Sequence, residues 1–180
     1  MIHYRTCRKF RKLLSLFVAI HVFLSGCNSA IMNQTYYACP PIYLIKQAET
    51  FKRFEYFGQE KTEGMLFEAK IIDFQGKCVY EKNKSALSIS LSVNFEIVRG
   101  PKNRDGKIDF NYFVAIPKFY PDAQGKRIFS ISEEFEEQSK RRRIVDELVI
   151  KVPIQKKQSF DQYQTYIGFQ LSSQQIKYNK

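Results

Sequence analysis

The chain has 180 residues, enough for one domain with its own core, and sets 29 Lys and Arg against 18 Asp and Glu for a formal net charge of +11. Both histidines, His3 and His21, fall within the first 26 residues, so the rest lacks the usual general base near neutral pH and the commonest metal ligand. That excludes Ser-His-Asp and Cys-His arrangements and leaves two-carboxylate hydrolysis as the open enzymatic chemistry.

Residues Met1–Lys12 contain Arg5, Arg8, Lys9, Arg11 and Lys12 and no acidic residue. Leu13–Leu24 (LLSLFVAIHVFL) is almost wholly apolar and leads to the small pair Ser25-Gly26. A basic start, a short apolar stretch and small residues at a cut site make the three-part pattern of a secretory signal. As a helix the apolar stretch rises about 18 Å, short of the roughly 30 Å hydrocarbon core, so it reads poorly as a stable span. Its apolar residues form a block rather than one helical face, which separates it from an organellar transit peptide.

Leu24-Ser25-Gly26-Cys27 resembles the bacterial lipobox. The resemblance implies that residues 1–26 are a lipoprotein signal peptide, cut before Cys27, and that the Cys27 sulfur carries a diacylglyceryl group. Several acyl chains are used because each buried methylene contributes about 0.8 kcal/mol and a single myristoyl chain binds only marginally. The alternative is an ordinary signal peptide with Cys27 near its cut. Asn28 stands where Asp would hold such lipoproteins of Gram-negative bacteria in the inner membrane, so the expected address is the periplasmic face of the outer membrane.

Loss of the signal removes five basic residues and no acidic one, and the formal charge falls from +11 to +6. The expected partners are the membrane, through the anchor, and envelope proteins or an anionic envelope surface; nucleic acid is not expected of an exported chain. Cys7 leaves with the signal and Cys27 is lipidated. Cys39 and Cys78 remain, an even pair in an oxidising compartment, and read as one disulfide. Two thiols without histidine do not suit a metal site, and no cofactor is expected.

Residues 27–38 read as the lipidated Cys27 and a polar tether, and residues 39–180 as a single all-β domain. Ile42–Ala48 is a predicted strand, and Glu49–Gly58 a short helix or irregular crossover. Met65–Phe74 and Cys78–Glu81 are predicted strands around a turn at Gln75-Gly76-Lys77. Leu87–Val98 is the clearest element: Leu87, Ile89, Leu91, Val93, Phe95 and Ile97 alternate with polar residues, the pattern of a half-buried antiparallel strand. After a turn at Gly100–Lys107 come Ile108–Ile116, a connection at Pro117–Lys126, strands Ile128–Phe135 and Ile144–Val152 around a charged tip, and a last strand Tyr163–Leu171. About seven to eight short strands at these intervals predict an Ig-like or fibronectin-like antiparallel β-sandwich, with a small β-barrel as the alternative.

Asn103-Arg104-Asp105-Gly106-Lys107-Ile108 looks like the core of a calcium loop. Aligned on Gly106, however, the first ligand position is Pro101 and the last is Tyr112, so both essential carboxylates are missing and a hairpin turn is expected. Lys140-Arg141-Arg142-Arg143 follows two pairs of glutamates. It is a candidate contact for an anionic lipid or other polyanion, but reads better as a charged hairpin tip that keeps an exposed edge soluble, because charge runs on exposed turns are usually solvated.

Cys39-Pro40, Gly76-Lys77-Cys78-Val79-Tyr80, Arg99-Gly100-Pro101, Tyr112-Phe113-Val114-Ala115, Gly168-Phe169-Gln170-Leu171 and Tyr178-Asn179 together resemble landmarks of a group of small, uncharacterised alphaproteobacterial lipoproteins. The resemblance implies membrane attachment and a shared β fold, and no particular activity. The expected function is therefore that of a non-enzymatic envelope lipoprotein offering its sandwich to other envelope components. A carboxylate-based envelope hydrolase and a lipid- or polyanion-binding module are the alternatives.

Overall fold

The computed structural model describes residues 39–56, 62–81, 85–154 and 160–178. The expected signal peptide, Leu24–Gly26 and Cys27, and the tether lie outside the described residues.

The described strands are β1 (Ile42–Leu44), β2 (Thr50–Phe54), β3 (Met65–Glu81), β4 (Ala86–Arg99), β5 (Lys107–Ala115), β6 (Lys126–Glu134), β7 (Arg141–Pro153) and β8 (Thr165–Phe169), followed by one short helix, α1 (Ser173–Tyr178). They make two four-stranded sheets. One runs β1-β8-β5-β6, the other β2-β3-β4-β7. The sheets pack face to face as a sandwich and do not close into a barrel. The second is antiparallel throughout, and the first carries one parallel pair, β1 with β8. This order is not the ABED/CFG order of immunoglobulin domains, so the likeness to them is one of architecture.

The alternation from Leu87 to Ile97 sits at the centre of the second sheet, in β4. All six apolar side chains are buried, at most 2 % exposed, and face the opposite sheet. Phe51 and Phe95 from the second sheet meet Phe110, Tyr112 and Phe169 from the first, and Phe67 packs on Phe51 beside them, with ring centroids from 5.1 to 6.3 Å apart where they touch. Large rings at this spacing fill the gap between two sheets while keeping each strand's period of two intact.

Five expectations change. Gln75-Gly76-Lys77 is not a turn: β3 runs unbroken for 17 residues through it. The register with β4 shifts between Ile71 and Asp73, which leaves Ile72 as an extra residue. Inward positions therefore fall at Phe67, Ala69 and Ile71 before this bulge, and at Phe74, Cys78 and Tyr80 after it. A one-residue bulge reverses the phase of everything that follows, and the break in alternation mimics a turn. Gly76 serves packing: a Cβ there would lie 2.5 Å from Ile42 Cδ1, so the missing side chain lets β1 lie against β3.

Within Glu49–Gly58 the chain forms strand β2 rather than a helix or crossover, because its backbone pairs with β3 and its one buried side chain, Phe51, reaches the aromatic core. The first expected strand stops at Leu44 and gives way to a 3-10 turn at Lys46–Ala48, and the last is confined to Thr165–Phe169. Arg141–Arg143 lie inside β7 rather than at a tip.

Cys39 and Cys78 are joined by a disulfide with their Cα atoms 5.2 Å apart. The bond fixes the start of the domain to the inner face of β3, beside Gly76 and Ile42. Among the described residues, no helix is long and apolar enough to cross a membrane.

Candidate functional site

The two long outer strands β6 and β7 lie on the same side of the sandwich, each ending its sheet. Which backbone groups they leave open follows from the hydrogen bonds at their ends. Arg99 N–H donates to the Lys140 carbonyl and Ile154 N–H to the Ser85 carbonyl, both at 2.8 Å. Even-numbered residues of β7 therefore face β4, and the odd-numbered ones, from Arg143 to Lys151, turn N–H and C=O to the free edge. The odd residues also carry their side chains on the outer face, where Val145 is 56 % and Val149 58 % exposed. Pro153, at the end of the strand, has its missing donor on the free edge, where an outer strand tolerates proline.

The same reasoning applies to β6. Phe135 N–H donates to the Gly106 carbonyl at 2.8 Å, so even-numbered residues of β6 face away from β5. Ile128 is among them and is 55 % exposed. One end of this edge is covered: the Arg142 guanidinium donates to the Glu134 carbonyl at 2.5 Å and pairs with the Glu133 carboxylate at 2.7 Å. Arg142 thereby ties the two sheets together across the open side. Further along, the Tyr112 hydroxyl donates to Asp146 Oδ2 at 2.6 Å, a second tie between the sheets. Burial and the neighbouring carboxylate push the Tyr112 hydroxyl well above its ordinary range, so it stays a neutral donor.

The basic run is accordingly split between the two faces of one strand. Arg141 and Arg143 both reach the Glu96 carboxylate on β4, at 2.7 and 3.2 Å. The two guanidiniums hold the Glu96 carboxyl below the usual carboxylate range, Arg141 foremost. Arg142 points inward to Glu133. Only Lys140 has no ion pair among the described residues, so the run does not present one contiguous cationic face. Arg141 and Arg143 are 61 % and 73 % exposed, and such pairs contribute little individually.

A cleft of about 360 Å³ lies between β2 and the β4–β5 turn, lined chiefly by Arg53, Lys102, Asn103, Arg104, Asp105 and Asp109. Its charges are largely matched: Arg53 with Asp109 at 3.9 Å, and Lys102 with Glu55 at 3.4 Å. The turn resembling a calcium loop uses its polar side chains on its own backbone. Asn103 Nδ2 donates to the Lys107 carbonyl at 2.8 Å, and Asp105 Oδ1 accepts the Lys107 N–H at 3.1 Å. Gly106 supplies the positive φ of +75° that closes it. The Arg99 guanidinium binds the Asn103 and Arg104 carbonyls from below. Among the described residues, no group of three or more His, Cys, Asp or Glu is placed to hold a metal ion.

Two features of this side escape a sequence reading, the Tyr112–Asp146 tie and the exposed valines. A signal for the valines does exist. Ile144-Val145-Asp146-Glu147-Leu148-Val149-Ile150 has apolar residues in both phases of the strand period, so one set must face outward.

In comparisons with known proteins, no family model, no curated protein and no solved structure matches this chain.

Proposed function

We propose that this protein is a non-enzymatic lipoprotein of a bacterial envelope, held to the periplasmic face of the outer membrane through lipid on Cys27, and that its β7 edge takes up a strand from an envelope partner. The observation that carries the recognition role is the free edge of β7, where backbone donors and acceptors run beside the exposed Val145 and Val149. Outer strands normally carry lysine, proline or bulges that block such pairing. From Ile144 to Ile150 this strand has none of them, and its one inward carboxylate, Asp146, is occupied by Tyr112. Strand addition supplies main-chain hydrogen bonds for affinity and alternate side chains for selectivity.

The anchor reading is supported by Leu24-Ser25-Gly26-Cys27 after a basic and then an apolar segment, and the short motifs that resemble those of small alphaproteobacterial lipoproteins agree with it. The test is a photo-crosslinking residue placed at Val149 or at Tyr120, which is 83 % exposed away from the edge, in intact cells. A discrete adduct from position 149 and none from 120 is expected. Equal adducts, or none at 149, would count against the edge. For the anchor, Cys27→Ser is expected to abolish acyl labelling, and unchanged labelling would sink it.

A further inference from the structure

We propose that the strand taken up by β7 is β7 of a second copy of this chain, paired antiparallel about a two-fold axis at Val149; this rests on the reading of β7 as a recognition edge. An edge that meets its own copy makes an isologous contact, so each residue opposes one at the same distance beyond the axis. The charges then select the register: an axis at Leu148 or Ile150 would leave Glu147 and Lys151 opposite uncharged residues, and one at Asp146 would set that carboxylate against itself. An axis at Glu147 would set Glu147 against itself and Arg143 against Lys151, both repulsive. With the axis at Val145, Arg143 would oppose Glu147, but Arg143 is already held by Glu96, and Arg142 would be set against Leu148. An axis at Val149 opposes Glu147 to Lys151 twice, Val149 to itself, and Leu148 to Ile150 on the inner face.

Neither Glu147 nor Lys151 has an ion pair among the described residues, so this register matches two charges that no described residue pairs. The odd-numbered residues from Glu147 to Lys151 carry the free N–H and C=O groups, so they supply the ladder between copies. Pro153 falls opposite Val145 and, lacking a donor, ends that ladder.

The register is readable by disulfide trapping in intact cells. In a hydrogen-bonded antiparallel pair, opposed Cα atoms lie about 5.5 Å apart, within the range a disulfide spans. Val149→Cys, Glu147→Cys and Val145→Cys are each made in the full chain, oxidised mildly and run without reductant. A reducible dimer from Val149→Cys alone is expected. In that background Lys151→Glu should slow trapping about tenfold, since it opposes like charges twice, and adding Glu147→Lys should restore it. Trapping at 145 or 147 instead of 149, or indifference to Lys151→Glu, overturns the proposal. No dimer at any of the three sites also overturns it. In that case a photo-crosslink from position 149 to a different protein would leave the recognition edge standing, whereas no crosslink would remove both.

Discussion

The Tyr112 hydroxyl, on one sheet, donates a 2.6 Å hydrogen bond to the Asp146 carboxylate, on the other, and so ties the sandwich together along the side where neither sheet has a neighbour. Tyr112 is fully buried and Asp146 half-buried, and a bond to a charged acceptor in such a place is worth about 1.5–3 kcal/mol. Tyr112→Phe is expected to cost about that much in denaturant unfolding. It should loosen β7 more than β3, by residue-resolved hydrogen exchange. A loss below about 0.5 kcal/mol would show that the tie is not stabilising.

The same bond has an alkaline signature. The hydroxyl ionises at a higher pH in the folded chain than its ordinary value of 10.0. Its stabilising contribution is therefore fully present below about pH 10 and is lost as pH rises beyond it. Stability against base should fall more gently in Tyr112→Phe than in the unaltered chain. Parallel curves would contradict this.

Glu96 predicts the opposite limb. Its carboxyl, held by Arg141 and Arg143, ionises below the ordinary 4.5 in the folded state. Its contribution is present above about pH 4.5 and disappears as pH falls through the lower folded value. Glu96→Gln is expected to flatten the acid limb of an unfolding curve and to leave its neutral part little changed, because both guanidiniums are well exposed. An acid limb identical to that of the unaltered chain would show that Glu96 has no part in it.

Leu91 and Ser90 are neighbours with opposite fates. Leu91 is 2 % exposed against the other sheet, and Ser90 faces solvent. Leu91→Asp should remove more than about 4 kcal/mol by burying an unpaired charge, whereas Ser90→Asp should change stability by about 0.5 kcal/mol or less. Similar losses at both positions would contradict the packing of β4.

The Cys39–Cys78 bond closes a span of 39 residues. Replacing both cysteines by serine is expected to cost about 2–5 kcal/mol, measured by urea unfolding. Alkylation after denaturation without reductant should label neither cysteine, and labelling of both would show that the bond does not form.

The β architecture could be read from residues because one strand dominates: Leu87–Ile97 has a single unbroken phase and lies where both faces are defined. Both ends of β3 were legible as strands and only its continuity was hidden by its bulge, since Ile72 reverses the alternation and places Gly76 in the position of a turn. β2 was hidden by brevity, because only Phe51 among its five residues is buried and the pairing that makes it a strand comes from β3. The basic run at Lys140–Arg143 was visible as charge, but its partners were not. Glu96 lies 45 residues from Arg141, and no local pattern links them. The Tyr112–Asp146 tie spans 34 residues, and only the order of the strands brings the two side chains together.

The claim that β7 is a recognition edge is tested most directly by residue-resolved amide hydrogen exchange along that strand. In the dilute isolated protein, the N–H groups of Val145, Glu147, Val149 and Lys151 should exchange rapidly, while those of Ile144, Asp146, Leu148 and Ile150, which face β4, are protected. In protein kept in its native membranes the alternation should vanish, with the odd-numbered amides of Glu147–Lys151 slowed as a bound strand covers them. Odd-numbered amides already protected in the isolated protein, or still rapid in the membranes, would contradict the account.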